Sequence, residues 1–100
     1  MNFAQLRAQL DQNKRVAVYL THPGCAPCTA VRPWAEALFQ HDPTWVWTAV
    51  ETPDSPDVAG QLLVFSHPTL LLFVEGKEFA RFSRVVRQSD VIRAKEAAAQ

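Results

Sequence analysis

The sequence predicts an α/β fold in which one mixed sheet of four strands carries helices on both faces. Two almost wholly apolar runs, residues 16–20 and 69–74, are typical of central strands that are buried on both sides. Helical patterns precede and separate these runs, so the elements follow in the order α-β-α-β-α-β-β-α. A strand–helix–strand unit favours a parallel crossover, and a closing hairpin adds antiparallel strands. We expect residues 1–100 to form a single domain.

The first helix is predicted over residues 3–12, and the first strand over residues 16–20. Apolar side chains recur at helical spacing in the first segment, and Asn2 before it is a residue type that caps helices. The apolar positions are Phe3, Leu6 and Leu10.

The second helix is predicted over residues 29–40, and a second strand over residues 44–51. One stripe of the helix is apolar, which indicates packing on the sheet. Pro33 lies within the stripe and is expected to kink the helix, because proline removes an amide donor and crowds the preceding turn. The stripe consists of Val31, Trp34, Ala35, Leu38 and Phe39.

A short third helix is predicted to begin at Ser55-Pro56-Asp57, with the serine as its cap and proline at the first helical position. Val58 and Leu62 continue its pattern, which extends to Phe65.

The last three elements are a strand over residues 69–74, a partner strand over residues 78–83 and a helix over residues 91–99. Glu75-Gly76-Lys77 between the strands is typical of a hairpin turn. Ser89-Asp90 is expected to cap the helix.

Composition and charge argue against several classes of partner. Ten basic residues balance ten acidic residues without a block of like charge, so neither a nucleic acid nor an anionic membrane is expected as partner. No apolar run has the length of a signal-peptide core or of a membrane span. The expected compartment is therefore the cytoplasm, where two cysteines are more often catalytic or metal-binding than structural.

The two cysteines of the chain, Cys25 and Cys28, lie where the first strand leads into the second helix. At this spacing they can close a disulfide or share a metal. In a redox pair, Cys25 at the helix N-terminus would be stabilised as the thiolate by free amides and the helix dipole, whereas Cys28 would be shielded one turn inside. Ala26 and Pro27 stiffen the loop between them, and proline is tolerated early in a helix.

Three interpretations of the pair remain open. A structural zinc site needs four ligands, and without a second C-x-x-C only His22 and His67 are available to complete it. A non-catalytic binding or redox-sensing module is the second alternative. We favour dithiol–disulfide exchange, with no metal, because a C-x-x-C beside a strand–helix–strand pattern is typical of redox proteins.

Two further side chains each have a functional and a structural interpretation. His67 either stabilises the Cys25 thiolate as an imidazolium or is a partly solvated loop residue. Tyr19 either packs in the core or donates its hydroxyl near Cys28.

Three stretches support a family resemblance that covers nearly the whole chain. They are Cys25-Ala26-Pro27-Cys28 with Pro33 in the helix that follows, His67-Pro68-Thr69-Leu70-Leu71-Leu72-Phe73, and Glu75-Gly76-Lys77. In these stretches the chain resembles the thioredoxin family. The resemblance implies a thioredoxin fold, thiol–disulfide exchange, and a cis Pro68 that faces Cys25.

The resemblance also implies roles and partners. Cys25 would be the nucleophile and Cys28 the resolving cysteine, while His67 and Pro68 would form a wall along which an extended substrate segment pairs. The implied substrates are disulfide- or thiol-bearing proteins or small thiols. Electrons would come from a separate reductase or a small thiol, and no bound cofactor is required.

Five positions depart from the family pattern. Gly24 replaces the usual tryptophan before the first cysteine, and Ala26 replaces the usual glycine after it. Tyr19 stands in place of the buried acid that assists the resolving cysteine, and Ala49 replaces its accompanying lysine. Arg84 stands in place of the glycine that opens the substrate groove, where it either binds an acidic substrate group or is solvated.

Overall fold

The computed structural model describes residues 1–100 and contains one four-stranded sheet with strand order β2-β1-β3-β4. The strands are β1 (Arg15–Thr21), β2 (Val46–Glu51), β3 (Thr69–Val74) and β4 (Lys77–Ser83). The helices are α1 (Phe3–Gln12), α2 (Ala26–Gln40), α3 (Pro56–Gln61) and α4 (Gln88–Ala98), with a 3-10 turn at Thr52–Asp54. β1 is parallel to β2 and antiparallel to β3, and β4 is antiparallel to β3. The predicted element order and mixed sheet are confirmed.

The central strand β1 is buried on both faces of the sheet. Val16, Val18 and Leu20 pack in the core between the sheet and helices α1 and α3. Ala17 and Tyr19 pack in the core between the sheet and helices α2 and α4. This alternation follows from the two-residue period of a strand, and it places helices on both faces as predicted. None of these helices is long and apolar enough to cross a membrane.

The helix α2 begins at Ala26, three residues before its predicted start. Cys25 is its N-cap, and the Cys25 sulfur accepts a hydrogen bond from the Cys28 amide at 3.2 Å. Helical periodicity misses this turn because its first residues are exposed and do not join the apolar stripe. The helix continues past Pro33 to Gln40.

The predicted N-cap Ser55 is confirmed, but the predicted end of α3 is wrong. The helix ends at Gln61, and Phe65 lies beyond it with 84% of its surface exposed. Ser55 occupies the N-cap position, but its side chain caps no amide and instead accepts a hydrogen bond from the Met1 ammonium group at 3.2 Å.

The cap predicted for α4 is wrong. The helix begins at Gln88 with Arg87 as N-cap, so Ser89 and Asp90 lie within the first turn. The apolar pattern identified the helix only from Val91, its first buried residue. A carboxylate in the first turn still favours the helix, because it interacts with the positive end of the dipole.

Replacing Leu10 with alanine should lower the free energy of unfolding by about 2–5 kcal/mol, because the side chain is buried between α1 and the sheet. Urea unfolding followed by tryptophan fluorescence measures the change. Leu63→Ala is the matched control, since Leu63 is exposed and its loss should stay within about 0.5 kcal/mol. Equal losses in both variants would contradict the packing described above.

Candidate active site

The candidate residues meet at one end of the sheet. In the register of the strands Leu20 pairs with Thr69, Thr21 with Glu51, and Thr69 also with Ser83. The loops that follow β1, β2 and β4 therefore lie beside the loop that precedes β3. Those loops carry Gly24, Cys25, Thr52, His67, Pro68 and Arg84.

Cys25 and Cys28 form a disulfide across the first turn of α2, with their Cα atoms 5.3 Å apart. Cys25 is half-buried, whereas Cys28 is only 2% exposed. The Cys25 amide donates to the His22 carbonyl oxygen at 3.2 Å and so holds the loop against the helix start. One sulfur can thus meet a partner while the other is shielded, as the sequence predicts for an attacking and a resolving cysteine.

The residues around the pair shape the helix start. Gly24 has a φ of +78°, a conformation that favours glycine, and an added Cβ there would meet no atom within 4 Å apart from those of the adjoining residues. Ala26 and Pro27 are exposed in the first turn, where Thr29 donates its hydroxyl to the Ala26 carbonyl oxygen at 2.7 Å. Because the dipole of α2 points its positive end at Cys25, this turn favours an anionic sulfur.

Tyr19 reaches the same turn from the sheet. Its side chain is fully buried, and its hydroxyl donates to the Cys28 carbonyl oxygen at 2.7 Å. Its ring stacks on Trp47 with ring centroids 5.4 Å apart. Both interpretations of Tyr19 therefore hold, but the acceptor is the backbone of Cys28 and not its sulfur.

The phenol of Tyr19 is held in its neutral form. Burial raises its pKa to about 12, and the positive charge of Arg32 lowers it by less than burial raises it. A neutral phenol donates a hydrogen bond but does not accept a proton near neutral pH. Where the resemblance places the family's buried acid, the chain thus has a neutral hydrogen-bond donor.

His67 is linked to two partners, one of which the sequence did not reveal. Its Nε2 lies 2.9 Å from the hydroxyl oxygen of the buried Thr52, and its ring centroid lies 5.5 Å from that of His22. Burial lowers the pKa of His67, and the charge of His22 lowers it further. The imidazolium form is therefore disfavoured while the two cysteines are joined as the disulfide.

The sequence feature that could have identified Thr52 as a site residue is its position just after β2. Parallel neighbours β1 and β2 end at the same edge, so a hydroxyl one residue past Glu51 falls beside the loop after β1. Only the register of the sheet makes this visible, because fifteen residues separate Thr52 from His67.

Pro68 and Arg84 meet through the backbone. The His67–Pro68 peptide is cis, as the resemblance implied, and the Pro68 carbonyl oxygen accepts a hydrogen bond from the Arg84 amide at 2.9 Å. Arg84 is exposed with a φ of +66°, which costs about 1 kcal/mol for a residue with a Cβ. Arg84 therefore stands where the resemblance implies a glycine, and its backbone keeps the left-handed conformation that favours glycine.

The four ligands considered for zinc are engaged elsewhere. The two cysteines bond to each other, and His67 contacts Thr52, while Nδ1 of His22 lies 2.9 Å from the Pro23 carbonyl oxygen. No group of three or more His, Cys, Asp or Glu side chains lies close enough to hold a metal.

Comparisons with known proteins agree with this geometry. The thioredoxin family model matches residues 1–97. The thioredoxin-like protein YdfQ of Bacillus subtilis is 36% identical over 77 residues, which cover 77% of this chain and 69% of that protein. Thioredoxin-1 of Saccharomyces cerevisiae is 31% identical over 78 residues, or 78% of this chain and 76% of that protein. The solved oxidised mitochondrial thioredoxin 3 of S. cerevisiae shares the fold, with a TM-score of 0.85 at 22% identity over 95% of this chain and 90% of that chain.

Tyr19 is the only tyrosine in the chain, so its ionisation can be followed by the near-ultraviolet absorbance of tyrosinate. We expect a pKa of about 12 in the folded protein against 10.0 in the unfolded chain. Because the folded pKa is raised, the stability contributed by the neutral phenol is present below pH 10 and lost as the pH rises toward 12. Ionisation of the folded protein near pH 10 would contradict the burial of this hydroxyl.

The lowered pKa of His67 predicts a loss of stability in acid. Below pH 6.5 the unfolded chain binds a proton that the folded state disfavours, so stability falls as the pH drops through this range. Replacing His67 with glutamine should reduce that fall between about pH 7 and pH 5, as measured by urea unfolding. His41→Gln, at the exposed end of α2, is the control, and an equal effect of both changes would refute the assignment to His67.

Proposed function

We propose that this chain, which belongs to the thioredoxin family, is a thiol–disulfide oxidoreductase of one domain, residues 1–100. It would exchange the Cys25–Cys28 pair with disulfide- or thiol-bearing proteins or with a small thiol. The observation that carries the proposal is the disulfide across the first turn of α2, with one sulfur half-exposed and the other buried. Family membership supports the general reaction.

The reduction begins with the dithiol form and Cys25 as nucleophile. The thiolate is the reactive species, and the N-cap position of Cys25 favours it through the dipole and the Cys28 amide that faces its sulfur. The thiolate attacks one sulfur of a substrate disulfide, the substrate S–S bond breaks, and the second substrate sulfur leaves with the electron pair. The product is a mixed disulfide between Cys25 and the substrate.

The second step releases the substrate and oxidises the pair. The Cys28 sulfur attacks that of Cys25, the mixed disulfide breaks, and the remaining substrate sulfur leaves as a thiolate that takes up a proton. The substrate gains two electrons, and the cysteine pair loses two. A separate reductase or a small thiol then returns the disulfide to the dithiol by the same exchange in reverse, so the chain needs no bound cofactor.

The substrate would lie along the loop that contains His67 and Pro68. An extended segment can pair with the backbone of His67 as a single added strand, which brings its disulfide to Cys25. The open space around Gly24 supports access to this sulfur, since an added Cβ would meet no atom within 4 Å apart from those of the adjoining residues. Arg84, bonded through its backbone to Pro68, borders the same loop and is the candidate contact for an acidic substrate group.

A non-catalytic binding or redox-sensing module is the second candidate. It is favoured by Tyr19, which provides no proton acceptor where the family has an acid. We propose the cytoplasm as the compartment, because a cysteine pair there is more often catalytic than structural.

Replacing Cys25 with serine should abolish reduction of insulin disulfides, because the nucleophile is lost. Cys28→Ser should also halt turnover but leave a mixed disulfide on Cys25, detected as an adduct by mass spectrometry without reductant. Thr29→Ser, which keeps the hydroxyl next to the pair, is the matched control and should retain the wild-type rate.

If the wild type fails to reduce insulin, or Cys25→Ser retains the wild-type rate, the enzyme proposal is refuted and the binding module is favoured.

A further inference from the structure

We infer that Tyr19 is the positioning residue of the resolving step, and that no side chain of the protein accepts the Cys28 proton in that step. The inference rests on the proposed function and deepens it, because it concerns how the mixed disulfide on Cys25 is resolved.

The first support is the fixed position of the Tyr19 hydroxyl. Tyr19 lies in the middle of β1, paired with Ala49 on one side and Leu70 on the other, and its ring stacks on Trp47. A side chain held by a central strand has little freedom, so its oxygen is a rigid anchor. The bond of 2.7 Å to the Cys28 carbonyl oxygen ties the first turn of α2 to the sheet.

The hydrogen bond from Tyr19 holds the backbone of the resolving cysteine, Cys28. When Cys25 carries a substrate, the Cys28 sulfur must still approach within bonding distance of it. The Cys28 peptide is held by the Tyr19 hydroxyl on its carbonyl side, independently of the disulfide that joins the two sulfurs. The hydrogen bond therefore persists as a constraint when that disulfide is open, and it limits the search for the reactive geometry.

The second support is the lack of a buried carboxylate, while the one half-buried histidine of the site, His67, has its Nε2 engaged with the Thr52 hydroxyl. No Asp or Glu side chain is buried anywhere in the chain, whose buried polar residues are Thr21, Thr48, Thr52, Ser55 and Thr69. Tyr19 directs its proton at a carbonyl oxygen, and its raised pKa keeps that proton in place near neutral pH.

The step then balances without a protein base. The Cys28 thiol loses its proton, its sulfur forms the bond to Cys25, and the bond between Cys25 and the substrate sulfur breaks. That substrate sulfur takes the electron pair and accepts a proton, directly or through water, to become a thiol. The cysteine pair ends as the disulfide, with the hydrogen bond from Tyr19 to Cys28 unchanged throughout.

The test follows a single turnover with oxidised glutathione. Reduced protein is mixed with it, quenched with acid at intervals, and separated by mass into dithiol, glutathione adduct and disulfide. Adduct formation measures the attack by Cys25, and adduct decay measures resolution by Cys28. Both rates are recorded over a range of pH for the wild type, Tyr19→Phe and the control Trp45→Phe.

Tyr19→Phe removes one oxygen and keeps the ring. We expect adduct decay to slow about fivefold at every pH, equivalent to about 1 kcal/mol, while adduct formation is unchanged. Trp45→Phe alters an aromatic side chain of the same core that packs edge-on against Phe39 and leaves both the Tyr19 stack and the hydroxyl bond in place, so its adduct decay should stay near the wild-type rate. The wild-type decay rate should rise with pH along a single ionisation, that of the Cys28 thiol.

Four results would overturn the inference: a wild-type rate of adduct decay in Tyr19→Phe, equal slowing in Trp45→Phe, a changed pH profile in Tyr19→Phe, or a second inflection at lower pH in the wild type. The last would reveal a protein base. If the wild type forms no adduct at all, the proposed function fails instead, so the two failures are distinguishable.

A second experiment keeps the Tyr19 hydroxyl and so does not depend on the stability of Tyr19→Phe. Since Tyr19 is the only tyrosine, incorporation of fluorotyrosine changes this phenol alone and makes it a stronger acid. If Tyr19 only positions Cys28, the pH profile of adduct decay should be the same with fluorotyrosine as with tyrosine. A profile that shifts to lower pH would show that the phenol transfers the proton, and would refute the inference.

Discussion

The burial of β1 on both faces is the constraint on which the site depends. Every residue from Val16 to Thr21 is buried, so the strand cannot shift or rotate without exposing one of the two cores. Its end directs the chain into the loop before Cys25, and its middle directs Tyr19 at the turn that contains Cys28. One rigid strand thus controls both the path of the active loop and the anchor of the helix that carries the second sulfur.

The site has the backbone geometry that the family resemblance implies, but two side chains near the sulfurs differ chemically from those of the family. The N-cap position of Cys25, the buried Cys28 and the cis Pro68 follow the pattern of the family. Tyr19 provides a hydrogen-bond donor where an acid is usual, and Arg84 brings a charged side chain to a left-handed turn. Neither change alters a strand pairing, so the fold is retained, and the effects that we propose for these residues are on proton transfer and substrate contact.

The sequence predicted the elements better than it predicted their ends. Apolar periodicity reports only residues that face the core, so it missed the exposed first turn of α2 and began α4 at Val91 in place of Gln88. Ser55 occupies the predicted N-cap position, but its hydroxyl bonds to the Met1 ammonium group, which lies 54 residues away in the chain, and to no amide of the helix. Such partners depend on the packing of α1 beside α3, which no local pattern contains.

The sequence was sufficient to determine the candidate chemistry. Cys25 and Cys28 lie three residues apart at a strand-to-helix junction, and one helical turn brings their sulfurs together independently of the rest of the fold. The tertiary structure alone decided what surrounds them. The bond from Tyr19 to the Cys28 carbonyl oxygen and the contact between His67 and Thr52 join separate elements across the sheet end. They exist because strand register and helix packing bring distant residues within 3 Å, and these are properties of the whole chain.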